Sequence, residues 1–251
     1  MSSSFADCFP ENHGLSSKAL SHFFDRIEQN RLQVNSFILL QDGRITARMW
    51  RTPYRPDCPQ LLYSLSKSVT SIAVGIAVGD GYFQLDDPVI SFFPERCPET
   101  VSDNLARMTI HHLLSMNTGH RSNIYSAVVS KKDWVKAFLS LEVESKPGSH
   151  YVYNTPASYM LSAIICKATG QHLVDFLMPR LFEPLGIERP VWETCPMGIT
   201  AGGMGLSLTT EDVAKLGQML LDMGKYDGKT IVSEAYVALA TRVFPLRYRA
   251  R

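Results

Sequence analysis

Ser64 and Lys67 form the residue pair with the clearest chemical potential, because no other serine in the chain is followed by a lysine three positions later. Residues three apart on a helix are neighbours, so the Lys67 amine can reach the Ser64 hydroxyl within one turn. A serine becomes a strong nucleophile when an adjacent base takes its proton, and a lysine accepts that proton only in its neutral form. The pair therefore predicts covalent catalysis by Ser64.

The same spacing has a structural alternative. Ser64 stands where apolar residues begin to recur at helical steps, so its hydroxyl could simply cap a helix N-terminus. The first turn of this helix also offers unpaired N–H groups and the positive end of the helix dipole, which suit a forming oxyanion. The apolar positions expected to form its buried face are Leu65, Val69, Ile72, Ala73 and Ile76.

The segments before this helix predict a helix followed by a hairpin. Residues 15–31 form an amphipathic pattern with Phe23 and Phe24 on its apolar side and Ser16 or Ser17 as the cap. Two apolar runs within residues 34–50 flank Asp42-Gly43, a strong signal for a tight hairpin turn. This order is typical of an antiparallel sheet with helices packed on it, which is an α+β fold.

Further helices are predicted on the C-terminal side of Lys67. They cover residues 109–120, closed at Gly119, residues 131–141, and residues 157–169, stopped by Gly170. The last helix begins at Thr209 or Thr210. The glycine-rich stretch 198–205 lacks the Gly-x-x-x-x-Gly-Lys pattern of a phosphate loop, so we interpret it as close backbone packing beside a site.

Composition argues against several classes of partner. The 251 residues carry a net charge of +1, with 45% hydrophobic and 20% charged residues, and no basic block or acidic tail indicates nucleic acid or a membrane surface. No apolar run approaches the roughly 18 residues of a spanning helix. The first ten residues lack the pattern of a secretory signal, so we expect a cytoplasmic protein, with a mature secreted form expressed without its signal as the alternative.

The potential metal ligands do not form a site in sequence. Five cysteines are scattered without a disulfide or zinc spacing, and we interpret them as reduced thiols. Adjacent helical residues point in different directions, so the pair His111-His112 does not predict a metal centre. We therefore expect no metal and no cofactor.

Four segments together resemble the serine β-lactamase-like superfamily, which includes class C β-lactamases, penicillin-binding proteins and esterases. The order and spacing of these segments match the family across about residues 15–240. The segments are Tyr63-Ser-Leu-Ser-Lys-Ser-Val-Thr-Ser71, Met108-Thr-Ile-His-His-Leu-Leu-Ser-Met-Asn-Thr-Gly119, Pro147-Gly-Ser-His-Tyr-Val-Tyr-Asn-Thr155 and Ala201-Gly-Gly-Met-Gly-Leu-Ser-Leu-Thr-Thr-Glu-Asp212.

The resemblance implies roles for four residues. Ser64 would be the acylated nucleophile and Lys67 its proton acceptor. Tyr151 and Tyr153 compete for the tyrosine of the second motif, and counting from the Pro-Gly turn selects Tyr153, which would move the proton to the leaving group and later activate water. Thr155 would contact the substrate in the place of the class C asparagine, a departure that favours esters or amides over β-lactams.

The C-terminal part departs from the family pattern. The family's third motif, which supplies an oxyanion-hole N–H from a strand, has no counterpart, because Lys229-Thr230 is followed by Ile231 rather than glycine. Residues 243–251 match nothing expected in the family. We therefore expect C-terminal strands to be missing and the tail to be atypical, and an inactive relative that only binds partners is the alternative to a hydrolase. A cell-wall peptidase is a third hypothesis, which the absence of a signal disfavours.

These arguments predict one β-lactamase-like domain over residues 1–251. Residues 15–60 would hold the N-terminal helix and hairpin, residues 61–200 the nucleophile helix and a helical subdomain, and residues 201–251 the last helix and the tail. The predicted activity is hydrolysis of a small-molecule ester or amide through an acyl-enzyme on Ser64, without nucleic acid or membrane as partner.

Overall fold

The computed structural model describes residues 5–242, where helices dominate over short strands. The α-helices are α1 (Ser17–Gln29), α2 (Ser66–Gly79), α3 (Asp103–Ala106), α4 (Ile110–Leu114), α5 (Tyr125–Val129), α6 (Trp134–Leu139), α7 (Thr155–Thr169), α8 (Leu173–Leu177), α9 (Thr210–Leu221) and α10 (Glu234–Ala240). The strands are β1 (Ser36–Gln41), β2 (Arg44–Trp50), β3 (Gln60–Leu61), β4 (Val191–Trp192), β5 (Leu206–Leu208), β6 (Lys225–Tyr226) and β7 (Lys229–Thr230). Tighter 3-10 turns cover Pro10–His13, Tyr63–Leu65, Val89–Phe92 and Pro94–Arg96, and a π-helical turn covers Met178–Phe182.

All strand pairs of the described sheets are antiparallel. Strands β1 and β2 form a hairpin, β3, β5 and β4 form a small sheet in that order, and β6 pairs with β7. Strand β5 follows the glycine-rich stretch and β3 precedes the nucleophile turn. The three-stranded sheet therefore ties these two segments together.

The predicted hairpin is confirmed. Asp42 and Gly43 both have a positive φ, of 48° and 68°, and connect Gln41 directly to its partner Arg44. Two consecutive positive φ values are typical of the turn whose twist matches that of paired strands. Helix α1 packs on the hairpin through Phe23, whose ring centroid lies 5.0 Å from that of Phe37.

The two edges of this hairpin differ. On the outer edge of β2, the Ile45 oxygen accepts from the Cys8 N–H at 2.9 Å and the Ile45 N–H donates to the Ala6 oxygen at 3.0 Å. Strand β1 pairs only with β2 among residues 5–242, and its outer backbone groups find no further backbone partner there.

Helices α2 and α7 form the centre of the core. Nine residues of α2 and ten of α7 are buried, so both helices are covered on most of their circumference. A helix that is apolar on nearly all sides has to be enclosed by others, and α4, α5, α6 and α8 all pack against α7. This enclosure fixes the first turns of α2 and α7, which begin at the predicted site.

Three expectations about elements need correction. Leu65 is 44% exposed, because it still belongs to the 3-10 turn and α2 begins only at Ser66. The helix expected over residues 109–120 ends at Leu114, and Met116 then has a φ of 53°. Helix α9 is not the last helix, because α10 follows it. Seven residues give too short a pattern for its periodicity to be recognised.

The docking of α10 on α2 provides a stability test. A Cβ added at Gly75 would overlap the buried ring of Tyr236 on α10. We expect Gly75→Ala to lower the free energy of unfolding by about 1–3 kcal/mol, as overpacking of a core does. The matched control is Gly217→Ala on α9, where a Cβ meets nothing within 4 Å and should stabilise by roughly 0.5–1 kcal/mol. Urea denaturation of both variants measures the difference, and equal effects would contradict the α2–α10 contact.

Candidate active site

Ser64 and Lys67 lie at the start of α2 and contact each other. Ser64 occupies the 3-10 turn that leads into the helix, and the Lys67 Nζ donates a hydrogen bond of 3.1 Å to the Ser64 Oγ. Tyr63, directly before Ser64, has a φ of 45°, a conformation that non-glycine residues seldom adopt. Ser64 itself is exposed, so its hydroxyl is accessible to a substrate.

The capping alternative for Ser64 is wrong. Neither the 3-10 turn nor α2 has a side-chain cap at its N-terminus, and the local bonds are made by Ser66 instead. The Ser66 Oγ donates to the Tyr63 oxygen at 2.6 Å and accepts from the Leu206 N–H at 3.2 Å. Ser66 therefore ties the turn to β5, while the Ser64 hydroxyl is directed towards Lys67 and the loop before α7.

Tyr153, rather than Tyr151, reaches the serine. The Tyr153 hydroxyl donates to the Ser64 Oγ at 2.8 Å, and the Lys67 Nζ lies 5.0 Å from the centroid of the Tyr153 ring. The Tyr151 hydroxyl lies instead 3.8 Å from the Met116 Sδ. The structure thus brings Ser64, Lys67 and Tyr153 together, and the tyrosine in contact is the one selected by counting from the Pro-Gly turn. Their catalytic roles stay predictions.

The glycine-rich stretch supplies the third contact of the site. The Gly203 oxygen accepts from the Lys67 Nζ at 2.6 Å, and the neighbouring Gly202 oxygen accepts from the Thr70 Oγ1 at 2.7 Å. A Cβ at Gly203 would lie 2.8 Å from the Thr155 Cγ2, closer than real Cβ atoms come. Only glycine allows this approach, which confirms the prediction of close backbone packing beside a site.

The electrostatics of the site act on the Tyr153 phenol. Its partial burial would by itself raise its pKa. The hydrogen bonds with Ser64 and Lys67, the positive charge of Lys67 and the Thr155 hydroxyl act in the opposite direction, and the pKa of Tyr153 falls below its ordinary value. A lowered phenol pKa increases the fraction of phenolate that can take a proton at a given pH.

Thr155 lies at the first position of α7 and lines a small cavity. The free space in this cavity is about that of a single water molecule. Thr155 also lies directly against Gly203, whose backbone oxygen accepts the hydrogen bond from Lys67. The lining residues carry no charged side chain and are Tyr125, Val129, Trp134, Thr155, Pro156, Tyr159, Ala201 and Met204.

Sequence reasoning missed the role of Asn154. This residue is fully buried and caps α7, with its Oδ1 accepting from the Ala157 N–H at 3.1 Å and its Nδ2 donating to the Thr118 Oγ1 at 3.2 Å. The sequence Asn154-Thr155-Pro156 carries a recognisable signal, an N-cap residue followed by proline in the first turn. The interaction with Thr118 has no signal in the sequence.

The other chemically active residues do not form a second centre in residues 5–242. No group of three His, Cys, Asp or Glu side chains there is placed to hold a metal ion. The His112 Nδ1 accepts from the Thr109 N–H at 3.0 Å in a capping box, so this ring has a structural partner. No helix within the described part of the chain is long and apolar enough to cross a membrane.

The residues nearest in sequence to the family's third motif lie in a hairpin. Lys229 and Thr230 form β7, pair with β6, and are exposed. No described hydrogen bond joins them to Ser64, Lys67 or Tyr153. The atypical tail, residues 243–251, lies outside the described residues.

Comparison with known proteins identifies the family. The family model described as Beta-lactamase matches residues 21–247, so the chain belongs to this family. The 6-aminohexanoate-dimer hydrolase of Paenarthrobacter ureafaciens is 23% identical over 81% of this chain, and esterase EstB of Burkholderia gladioli is 28% identical over 54% of it. The octameric penicillin-binding protein homologue from Pyrococcus abyssi has the same fold, with a TM-score of 0.68 and 23% identity over 88% of this chain.

These matches confirm the predicted superfamily and the α+β, β-lactamase-like fold, and the names of the relatives agree with the prediction of a serine hydrolase. The chain spans only part of each of these proteins. It covers 56% of the 6-aminohexanoate-dimer hydrolase, 39% of the esterase and 58% of the Pyrococcus protein.

The ionisation of Tyr153 can be measured directly. Because its pKa is lowered, the phenolate should appear below the ordinary pKa of about 10, as an absorbance change near 295 nm that Tyr153→Phe removes. Lys67→Met should raise this pKa, since it removes a hydrogen bond and a positive charge that favour the phenolate. If the titration of Tyr153 is the same with and without the Lys67 amine, the electrostatic coupling described here is absent.

Proposed function

We propose that this chain is a serine hydrolase that cleaves an ester or amide bond through an acyl-enzyme on Ser64. One observation carries the proposal: the Ser64 Oγ is contacted both by the Lys67 Nζ, at 3.1 Å, and by the Tyr153 hydroxyl, at 2.8 Å. An accessible serine with two titratable neighbours has the nucleophile and the proton acceptor within hydrogen-bond distance, which is the arrangement that nucleophilic catalysis needs.

Acylation follows from this geometry. The Ser64 oxygen attacks the carbonyl carbon of the substrate while its proton passes to the Lys67–Tyr153 pair, and the carbonyl oxygen takes up negative charge. Collapse of this intermediate breaks the bond to the leaving alcohol or amine, which receives the proton. The first turn of α2 offers N–H groups and the positive end of the helix dipole close to this charge.

Deacylation reverses the proton transfers. A water molecule gives a proton to the Lys67–Tyr153 pair and attacks the acyl carbon, and the released Ser64 oxygen takes the proton back. The lowered pKa of Tyr153, which the Lys67 charge helps to produce, favours the phenol as the group that gains and loses this proton. The rate of the reaction should therefore rise with pH as Tyr153 ionises.

We propose that the acyl group binds beside Thr155, where the cavity lining carries no charged side chain and therefore favours a neutral group. Transfer of a carboxylate or ammonium group into an apolar cavity without a partner is costly, whereas a short alkyl chain gains by leaving water. The relatives include proteins named as an esterase and as a hydrolase of a 6-aminohexanoate dimer, so ester and amide bonds are both candidates for this chain. Among these candidate substrates, we rank short neutral esters first.

An inactive relative is the second candidate, favoured by the third-motif residues. Lys229 and Thr230 belong to the β6–β7 hairpin, so they supply no oxyanion donor through the contacts described above. Loss of one such donor costs about 2.7–4 kcal/mol in the barrier of known serine hydrolases. Turnover of p-nitrophenyl acetate by the folded chain distinguishes a hydrolase from a protein that only binds.

The nucleophile is tested with a fluorophosphonate probe. The wild-type chain should be labelled at Ser64, and Ser64→Ala should abolish labelling because the attacking oxygen is lost. Ser68→Ala is the matched control, since Ser68 is an exposed serine in the first turn of α2 and lies four residues beyond Ser64. Mass spectrometry of the labelled peptide reports the site. Labelling that persists in Ser64→Ala, or an unlabelled but folded wild-type chain, would overturn the proposal.

The acyl preference is tested by enlarging the cavity. Met204→Ala removes most of one wall, so kcat/KM for p-nitrophenyl butyrate relative to the acetate should rise about tenfold, since each buried methylene contributes about 0.8 kcal/mol. Met197→Ala should leave this ratio unchanged, because Met197 is exposed and does not line the cavity. An unchanged ratio in Met204→Ala would show that the acyl chain binds elsewhere.

A further inference from the structure

The loop that carries Tyr153 is held by residues 116–120. The Met116 oxygen accepts from the Val152 N–H at 3.1 Å, and the Asn117 oxygen accepts from the Gly148 N–H at 2.7 Å. These bonds lie on the N-terminal side of Tyr153. They align the two segments, although the segments are more than 30 residues apart in sequence.

Buried side chains extend this attachment to the C-terminal side of Tyr153. The Asn154 Nδ2 donates to the Thr118 Oγ1 at 3.2 Å, and the Thr118 Oγ1 lies 2.9 Å from the His120 Nδ1. Asn154, Thr118 and His120 have at most 2% of their surface exposed. A chain of three polar side chains therefore runs through the interior and ends at the residue next to Tyr153.

His120 forms the inner end of this chain of side chains. The Thr118 Oγ1 accepts from the Asn154 amide, and it donates to the His120 Nδ1 or accepts from it according to which ring nitrogen carries the proton. The His120 Nε2 has no partner in residues 5–242. Burial lowers the pKa of His120, more than the charge of Glu144 raises it, so a neutral ring is the favoured form.

We propose that His120 is a positioning residue for Tyr153, acting through the Thr118 hydroxyl and the Asn154 amide. The proposal rests on the proposed function, in which the Tyr153 phenol exchanges a proton with Ser64. The Asn154 side chain caps α7 with its oxygen and bonds Thr118 with its nitrogen, so its two ends fix the backbone from which the Tyr153 side chain leaves.

The energetic reason for this arrangement is the exposure of Tyr153 itself. Tyr153 is 44% exposed, so much of its surface has no packing that would hold the phenol 2.8 Å from the Ser64 Oγ. Displacement of a catalytic group by about 1 Å can reduce a rate by about 10²-fold. The buried hydrogen bonds of Asn154, Thr118 and His120 hold the loop in place, and they thereby position a ring whose exposed face cannot do so itself.

Two matched pairs of variants test the proposal in the full chain. Thr118→Val removes the hydroxyl at nearly constant shape, whereas Thr118→Ser keeps it. His120→Leu removes the Nδ1 partner of the Thr118 hydroxyl, whereas the side-chain amide of His120→Asn can occupy the same place and can donate or accept. The readouts are the rate of fluorophosphonate labelling of Ser64 and circular dichroism, which reports whether each variant is folded at the assay temperature.

We expect Thr118→Val and His120→Leu to slow labelling between about tenfold and a hundredfold. The labelling rates of Thr118→Ser and His120→Asn should stay within about threefold of the wild-type rate, because the hydrogen bonds that link His120, Thr118 and Asn154 are kept. If Thr118→Val does not fold, the His120 pair carries the test alone. In a Tyr153→Phe background, none of these variants should slow labelling further, because the group being positioned is gone.

The contrary outcomes are distinct. If folded Thr118→Val and His120→Leu label at the wild-type rate, His120 does not position Tyr153, and the proposed function is unaffected. If they slow labelling as much in the Tyr153→Phe background as in the wild type, their effect is a general loss of structure. The positioning role of His120 is then refuted. If Tyr153→Phe alone labels like the wild type, the role of Tyr153 in the proposed function fails, and the positioning role falls with it.

Discussion

The candidate site is organised around one oxygen atom, the Ser64 Oγ, which lies within hydrogen-bond distance of both the Lys67 amine and the Tyr153 hydroxyl. Lys67 lies in the first turn of α2, directly after the 3-10 turn that holds Ser64, so local spacing is enough for it to reach this oxygen. Tyr153 comes from a loop 89 residues further along, and its contact exists only if that loop is held at the right place. The Lys67 amine is fixed in turn by the Gly203 oxygen. The site therefore requires three segments to meet at the start of α2.

Close packing of backbones makes this meeting possible. Thr70 on α2 binds the Gly202 oxygen, and Gly203 lies against Thr155 at the start of α7 with no room for a side chain. These two contacts join the buried helices α2 and α7 to the glycine-rich stretch beside the candidate site. A change in either contact is therefore expected to move Lys67 or Tyr153 relative to Ser64, so the geometry of the site depends on the packing of the core.

Local patterns in the sequence were sufficient for part of this arrangement. The Ser64–Lys67 spacing, the Asp42-Gly43 turn and the cap at Thr209 are each defined within a few residues, and the structure has all three. The choice of Tyr153 over Tyr151 followed from counting after the Pro-Gly turn. The catalytic roles of Ser64, Lys67 and Tyr153, and the substrate role of Thr155, stay predictions. What the sequence could not reveal depends on residues far apart, such as the contact between Asn154 and Thr118, or on short elements such as α10, which is recognisable only through its packing on Gly75.

Strand β1 combines an apolar run, Phe37 to Leu40, with an outer edge that has no backbone partner in residues 5–242. Sheet proteins usually protect such edges with charged side chains, proline or a bulge that turns the strand away. The six residues of β1 contain neither a charge nor a proline, and the irregular pairing near Leu39 and Leu40 is the feature of the strand itself that would turn it away from a partner. An apolar edge of this kind is a template for pairing, so this is the side of the hairpin at which a further strand would extend the sheet.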